Sequence, residues 1–211
     1  MPTAEPILPQ HGTPSEVIIT SVEWLVEPRW RGDRLMARLH EGRVTLTDAG
    51  AEPAGPDFAE VARLLESAID ADAAVIDGIW TSQSLDEDGG GARTFVAIDL
   101  VELDGQPLGG VPYQERRRLL ESVLRESVRV RLTPAVRVPL EAWLDAWRRQ
   151  GFTHYVAKHV NSRYRPGERV DDWLIVSAGS DRQPSLADRL IRRPAGKPRR
   201  IIEDGAGEVH R

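Results

Sequence analysis

The sequence contains no cysteine, and its only lysines are Lys158 and Lys197. The absence of cysteine excludes disulfide bonds, thiolate metal sites and cysteine nucleophiles. No apolar run approaches the roughly 20 residues that a membrane-spanning helix needs, and the N-terminus lacks the basic and apolar regions of a secretory signal. We therefore expect a cytoplasmic protein with no membrane partner.

The positive charge is almost all arginine, and the net charge of the 211 residues is −5. An acidic balance argues against a protein that coats nucleic acid over its whole surface. The scarcity of lysine restricts the possible chemistry, because a guanidinium cannot replace a primary amine as a nucleophile. Hydrophobic residues make up 40% of the chain, which suits one sizeable globular domain.

Hydrophobic periodicity predicts an α+β fold with mixed, largely antiparallel sheets and flanking helices. The predicted elements are a hairpin over 35–47, a helix over 57–69, strands over 73–80 and 94–103, a helix from 112, a strand over 128–132, a helix from 139, and strands over 155–160 and 173–176. Trp143 and Trp147 share the apolar stripe of the third helix and are predicted to be core residues. We expect an irregular lead-in over residues 1–22, one domain over 23–178, and a basic then acidic tail over 179–211.

The stretch over residues 151–176 carries the most specific pattern. A strand leads into the turn Tyr164–Arg165–Pro166–Gly167, and a second strand follows Asp171–Asp172. Proline fixes one backbone angle and glycine permits a left-handed one, so the turn is tightly defined. This arrangement resembles the end of the adenylation domain of ATP-dependent DNA ligases, which reads approximately EGVVAK, YRPG and DWLKIK.

Three further segments extend the resemblance over residues 6–176. Residues 27–34, EPRWRGDR, resemble the ligase signature EPKWDGxR; Asp77–Gly78 resembles DGE; and residues 98–105, IDLVELDG, resemble FDLLxLDG. The resemblance implies the adenylation fold shared by DNA ligases and mRNA capping enzymes. The residues after Val176 are too few for the OB-fold that follows in ligases, so no OB-fold is expected.

The residues that perform the chemistry of that family are replaced here. Arg29 stands where the ligase lysine attacks the α-phosphate of ATP, and Arg31 replaces the aspartate two positions on. Other positions that carry charged or aromatic groups in the family are occupied by Asp48, Ile79, Ile98, Thr153, Ile175 and Ser177. The sequence therefore predicts a degenerate, non-adenylating domain that acts as a DNA-repair accessory or binding module and has no cofactor.

Two alternatives stay open at this stage. One is an active ligase or nucleotidyltransferase with a rearranged site, which would use ATP and Mg²⁺. The other is a DNA-binding adaptor that acts through the basic tail, with DNA or DNA-repair proteins as partners. The tail residues predicted to contact nucleic acid are Arg189, Arg192, Arg193, Lys197, Arg199 and Arg200.

The resemblance implies a vestigial cofactor cleft formed by Arg29, Arg34, Asp77, Asp99 and Lys158. Strand alternation predicts that Lys158 faces away from the side of Thr153, where the ligase glutamate would stand. Alternation also puts His154 and His159 on opposite faces, which argues against a metal pair. The acidic run at residues 86–88 is predicted to be a solvated turn, and no metal site is expected.

Overall fold

The computed structural model describes residues 5–85 and 91–179. The strands in this part are β1 His11–Ser15, β2 Trp24–Pro28, β3 Asp33–His40, β4 Arg43–Asp48, β5 Ala73–Thr81, β6 Thr94–Leu103, β7 Gln106–Pro107, β8 Val130–Leu132, β9 His154–His159 and β10 Arg169–Ser177. The helices are α1 Ala59–Ala68, preceded by the 3-10 turn Pro56–Phe58, then α2 Tyr113–Val123 and α3 Glu141–Arg149. None of the described helices is long and apolar enough to cross a lipid bilayer.

The described strands form two sheets. The first sheet has the order β4-β3-β5-β6-β7, with β8 paired to β6, and the second has the order β1-β10-β9-β2. All pairings within these sheets are antiparallel except β6–β8 and β1–β10. The predicted α+β class with largely antiparallel sheets is therefore confirmed.

Each sheet is covered by helices on one side. Val61 and Leu65 of α1 and Leu120 of α2 are fully buried in one apolar cluster with Leu35 and Phe95 of the first sheet. A separate cluster on the second sheet includes residues of α3. A third cluster joins the two sheets and contains Met36, Val75, Val101, Tyr164, Val170 and Trp173. The two sheets consequently pack against each other through this cluster.

Gly78 of β5 lies under an aromatic ring of β6. A Cβ atom at this position would stand 2.1 Å from Cζ of Phe95. No side chain fits there, so the glycine permits the two strands to pack around the buried ring. Gly167 lies in the turn that connects β9 to β10 and has φ 73°, a left-handed conformation that glycine adopts without steric cost.

Two expectations about local structure are wrong. The lead-in is not irregular throughout, because β1 pairs in parallel with β10 at the far end of the chain. On α3, Trp147 is buried at 2% exposure but Trp143 is 47% exposed. The contact face of α3 runs through Leu140, Leu144 and Trp147, so Trp143 lies at its edge. The predictions for residues 86–88 and for the tail fall outside the described residues.

Candidate functional site

A cleft of about 580 Å³ opens where β1, β9 and β10 of the second sheet face β3, β5 and β6 of the first. Its lining includes the loop after β2, which carries Arg29. The backbone N–H of Arg29 donates to the carbonyl of His154 at 3.0 Å, which fixes this loop to the start of β9. The cleft is thus built from segments that are far apart in the sequence.

The floor of the cleft is a buried ion pair. Nζ of Lys158 lies 3.1 Å from Oε2 of Glu27, and the two side chains are 1% and 3% exposed. Nζ also donates to the carbonyl of Ile98 at 2.7 Å. It lies 4.7 Å from the ring centroid of Tyr113 and 4.3 Å from that of Trp173, within cation–π distance of both. The Tyr113 hydroxyl donates to the other oxygen of Glu27, so both carboxylate oxygens have partners.

Arg34 lines the cleft, and the carboxylate of Asp77 binds its guanidinium group. Its Nε donates to Oδ1 of Asp77 at 2.9 Å and its Nη2 to Oδ2 at 2.6 Å. Burial alone would lower the pKa of Arg34, but the Asp77 carboxylate outweighs it and raises that pKa. The Tyr164 hydroxyl also donates to Oδ2 of Asp77, at 2.8 Å. Burial and the nearby Asp77 charge raise the pKa of Tyr164, so the phenol stays protonated as a donor.

Asp99 is bound by an arginine of α2. Nε and Nη2 of Arg116 donate to its two oxygens, each at 2.8 Å, and both side chains are fully buried. Arg116 Nη1 also donates to the carbonyl of Ser162 at 3.0 Å. The Asp99 side chain is therefore part of the packing between β6 and α2, and it does not line the cleft.

The mouth of the cleft carries further basic side chains. Arg29 and Arg169 are exposed, and His11 and His154 are half-buried. Arg169 donates through Nη1 to the carbonyl of Gly12, which holds the guanidinium beside β1. Burial, with the charges of Arg34 and Arg169, lowers the pKa of His11. These groups give the cleft a positive rim in a protein with a net charge of −5.

The structure brings together three of the five residues predicted for the cleft. Arg29, Arg34 and Lys158 line it, whereas Asp77 and Asp99 lie behind its wall. Four of the substituted positions also line it, namely Ile79, Ile98, Ile175 and Ser177.

Lys158 does not share the side of Thr153, as strand alternation predicts, and the side that it occupies is the one that lines the cleft. Thr153 precedes β9 and does not line the cleft, so the cleft side of β9 is the one shared by His154, Val156 and Lys158. The ring of His159 instead packs edge-on against Trp24, with centroids 5.2 Å apart.

Sequence reasoning missed His11, Arg169 and the role of Glu27. His11 and Arg169 are register partners in the parallel β1–β10 pair, and no local pattern in the sequence indicates a pairing over that distance. The sequence did give an indication for Glu27. It lies two positions before Arg29 at the end of β2, and this spacing puts two side chains on the same face of a strand.

Comparison with known proteins finds similarity to ATP-dependent DNA ligases. A family model described as "ATP dependent DNA ligase domain" matches residues 89–176. The chain is 30% identical over 181 residues to the multifunctional non-homologous end joining DNA repair protein LigD of Mycobacterium tuberculosis, covering 80% of this chain and 23% of that protein. It is 24% identical over 195 residues to a DNA ligase of Methanocorpusculum labreanum, covering 83% of this chain and 36% of that ligase.

A solved structure of mycobacterial DNA ligase D complexed with ATP and MES superposes with a TM-score of 0.69 at 25% identity, covering 83% of this chain and 61% of that one. The chain therefore spans between about a quarter and a third of the length of these curated relatives. The residues that the family model matches contain β6 to β10, and the structural match covers 83% of this chain. The chain belongs to the adenylation-domain family of the ATP-dependent DNA ligases.

Proposed function

We propose that this ligase-type domain does not adenylate itself and acts as an accessory or binding module in DNA repair. The observation that carries the proposal is Arg29, which lines the cleft where the family uses lysine as its nucleophile. A guanidinium delocalises its lone pair and remains protonated at any physiological pH, so it cannot attack a phosphate.

The cleft fits the organic part of a nucleotide better than it fits a metal ion. Its volume lies within the range of ordinary small-molecule sites. Mg²⁺ needs oxygen ligands, and within the described part of the chain no cluster of three or more metal-binding side chains occurs. The carboxylates of Glu27, Asp77 and Asp99 are bound to Lys158, Arg34 and Arg116. The residues present do not fit a resident magnesium ion.

Lys158 is the one lysine within the described ranges, and its surroundings argue against its use as a replacement nucleophile. An amine must be deprotonated to attack. The Glu27 carboxylate, the Ile98 carbonyl and two aromatic faces all surround Nζ, so the group is held by contacts within the protein. We propose that Lys158 is a structural cation, and this disfavours the alternative of a ligase with a rearranged site.

A role in DNA repair is supported by the relatives. LigD is named as a multifunctional non-homologous end joining DNA repair protein, and the relative from Methanocorpusculum labreanum is named a DNA ligase. The basic cluster between Arg189 and Arg200 adds a second means of reaching DNA, because arginines contact phosphates without reading sequence. We propose DNA and DNA-repair proteins as the partners of this module.

The test is incubation of the full chain with α-labelled ATP and Mg²⁺, followed by denaturing electrophoresis. We expect no label on the denatured chain. Covalent label on the wild-type chain would contradict the proposal, and peptide mapping of that label to Lys158 would identify an active nucleotidyltransferase.

A further inference from the structure

A second cavity, of about 320 Å³, lies between the segment 83–85, the start of β6 and the residues 126–134 around β8. We term it the β8 cavity. Trp30 lines both this cavity and the cleft. Its indole Nε1–H donates to Oγ1 of Thr133 at 2.9 Å, which fixes the ring beside β8. The volume lies at the lower end of the roughly 300–1,000 Å³ of small-molecule sites, so the β8 cavity can take a ligand with one ring.

Arg117 of α2 brings a positive charge with unused donors to the β8 cavity. Its Nε donates to Oε1 of Glu121 at 2.7 Å, and its Nη1 donates to the carbonyl of Thr133 at 2.6 Å. Its Nη2 makes no hydrogen bond or ion pair with residues 5–85 and 91–179. A guanidinium carries five N–H donors and stays protonated, so Nη2 can donate to an anionic ligand.

The side-chain amide of Gln83 provides a second, uncharged donor. The backbone N–H of Arg31 donates to its Oε1. Only the oxygen of an amide can accept this bond, so the amide orientation is fixed and Nε2 is the end that remains available. Both donors are tied to the same tryptophan, because Thr133 binds both Trp30 and Arg117, and Arg31 follows Trp30 in the chain.

Much of the remaining wall of the β8 cavity is apolar. Its apolar side chains are those of Trp30, Leu85, Val96, Val128, Leu132 and Pro134. Val128 is 79% exposed, so part of this apolar surface is in contact with water. A ligand that covers it with a ring gains free energy from the hydrophobic effect.

Glu126 restricts the charge of such a ligand. Its exposed carboxylate lines the β8 cavity, and its Oε2 accepts a hydrogen bond from the Leu132 N–H at 3.0 Å. The negative charge of Glu126 repels a dianion, such as a phosphate monoester, about twice as strongly as a singly charged carboxylate at the same distance. A single carboxylate also matches the single charge of Arg117.

We infer that the β8 cavity binds a small carboxylate that carries an apolar ring. The ring packs on Trp30 and the apolar wall, and the carboxylate accepts from Nη2 of Arg117 and Nε2 of Gln83. The inference does not depend on the proposed function, because Arg29 and Lys158 of the cleft take no part in it.

The experiment is an NMR titration of the ¹⁵N-labelled full chain with phenylacetate. The reporter is the indole N–H signal of Trp30, which is identified by its loss in Trp30→Phe. Phenylacetamide and phenethylamine are the matched compounds, because they keep the ring and replace the anion by a neutral amide or a cation. Phenylacetate shifts the signal saturably with a Kd on the order of 1 mM, as suits a ligand of this size. Phenylacetamide binds roughly tenfold more weakly, and phenethylamine causes no shift. No shift with phenylacetate, or an equal response to the three compounds, overturns the inference.

Variants test the two donors separately. Arg117→Met weakens binding of phenylacetate by roughly tenfold, the effect of losing one charge-assisted contact. Gln83→Glu keeps an oxygen for the Arg31 N–H and replaces the donor by a negative charge, so it also weakens binding, whatever Arg117→Met does to folding. Arg118→Gln is the matched control, because Arg118 is 75% exposed and does not line the β8 cavity. Affinity for phenylacetate in Gln83→Glu and Arg117→Met equal to that in Arg118→Gln contradicts the inference.

Discussion

Lys158 and Glu27 form a buried ion pair, 3.1 Å apart, in the floor of the cleft. Lys158 comes from β9 and Glu27 from β2, which are adjacent in the second sheet. Ile98 of the first sheet accepts a hydrogen bond from the same ammonium group. The ammonium group of this pair therefore links the two sheets within the lining of the cleft.

Removal of one partner of this pair is expected to destabilise the domain strongly. Lys158→Met leaves the Glu27 carboxylate buried without its cation, and such a change typically lowers the free energy of unfolding by about 3–5 kcal/mol. Urea denaturation measures this loss. The double variant Lys158→Met/Glu27→Gln should lose less than the sum of the single variants, because the two side chains interact directly.

The exposed pair Arg118–Glu115 on α2 provides the control. Its side chains are 75% and 44% exposed, so Arg118→Gln should change the free energy of unfolding by no more than about 1 kcal/mol. An effect of Lys158→Met as small as that of Arg118→Gln would mean that the ion pair is not buried in solution.

The two tryptophans of α3 should differ in their contribution to stability. Trp147→Ala removes a ring that is 2% exposed, and truncation of a buried aromatic residue typically costs about 3–5 kcal/mol. Trp143→Ala removes a ring that is 47% exposed and should cost much less. Thermal unfolding of both variants measures the difference, and equal losses would argue against this orientation of the helix.

Restoring the family nucleophile alone should not restore adenylation. In Arg29→Lys the amine is present, but Ile79, Ile175 and Ser177 still occupy positions where the family carries charged groups. Catalytic groups that act together are not additive, so we expect no covalent label in this variant. Adenylation by Arg29→Lys alone would show that those other positions are dispensable, and it would weaken the case for a degenerate site.

The pKa of His11 should lie below the ordinary value of 6.5, because burial and the charges of Arg34 and Arg169 disfavour its protonated form. The folded state then binds fewer protons than the unfolded state between the lowered pKa and about 6.5. Between these two pH values the free energy of unfolding increases with pH. Above about pH 6.5 the ionisation of His11 no longer changes it. NMR titration of the imidazole measures this pKa, which Arg169→Gln should raise. A pKa above 6.5 in the wild type would contradict the placement of His11.

Binding of DNA should depend on the tail. Deleting the residues after Asp188 removes the basic cluster, including Arg189 and Arg200, and should abolish binding of a labelled duplex. For the full chain, raising the salt concentration from about 50 to 200 mM should lower the affinity by orders of magnitude, because phosphate contacts release counterions. Tight binding by the truncated chain that does not respond to salt would instead assign DNA to the cleft.

Local patterns in the sequence predict the first sheet well. β5 and β6 have long apolar runs, and the hairpin of β3 and β4 has a turn at residues 41–42, so each of these elements is specified by residues within it. The second sheet is less predictable, because β1 pairs with a strand near the other end of the described chain. The same distance explains why His11 and Arg169 were missed.

The cleft was predictable in part. The resemblance to ligases suggested Arg29, Arg34 and Lys158 for the cleft, and all three line it. It did not predict that Asp77 and Asp99 are bound to Arg34 and Arg116, because partner choice among buried charges depends on the packing of separate elements.

The pairing of β1 with β10 has a consequence for the order in which the domain forms during synthesis. The antiparallel core of the first sheet, β4-β3-β5-β6, can pair once Leu103 has left the ribosome, since its strands follow one another in the chain. The strand His11–Ser15 has no partner until Arg169–Ser177 emerges. These residues therefore have no sheet partner while residues 16–168 are synthesised, and the cleft becomes complete only when β10 is in place.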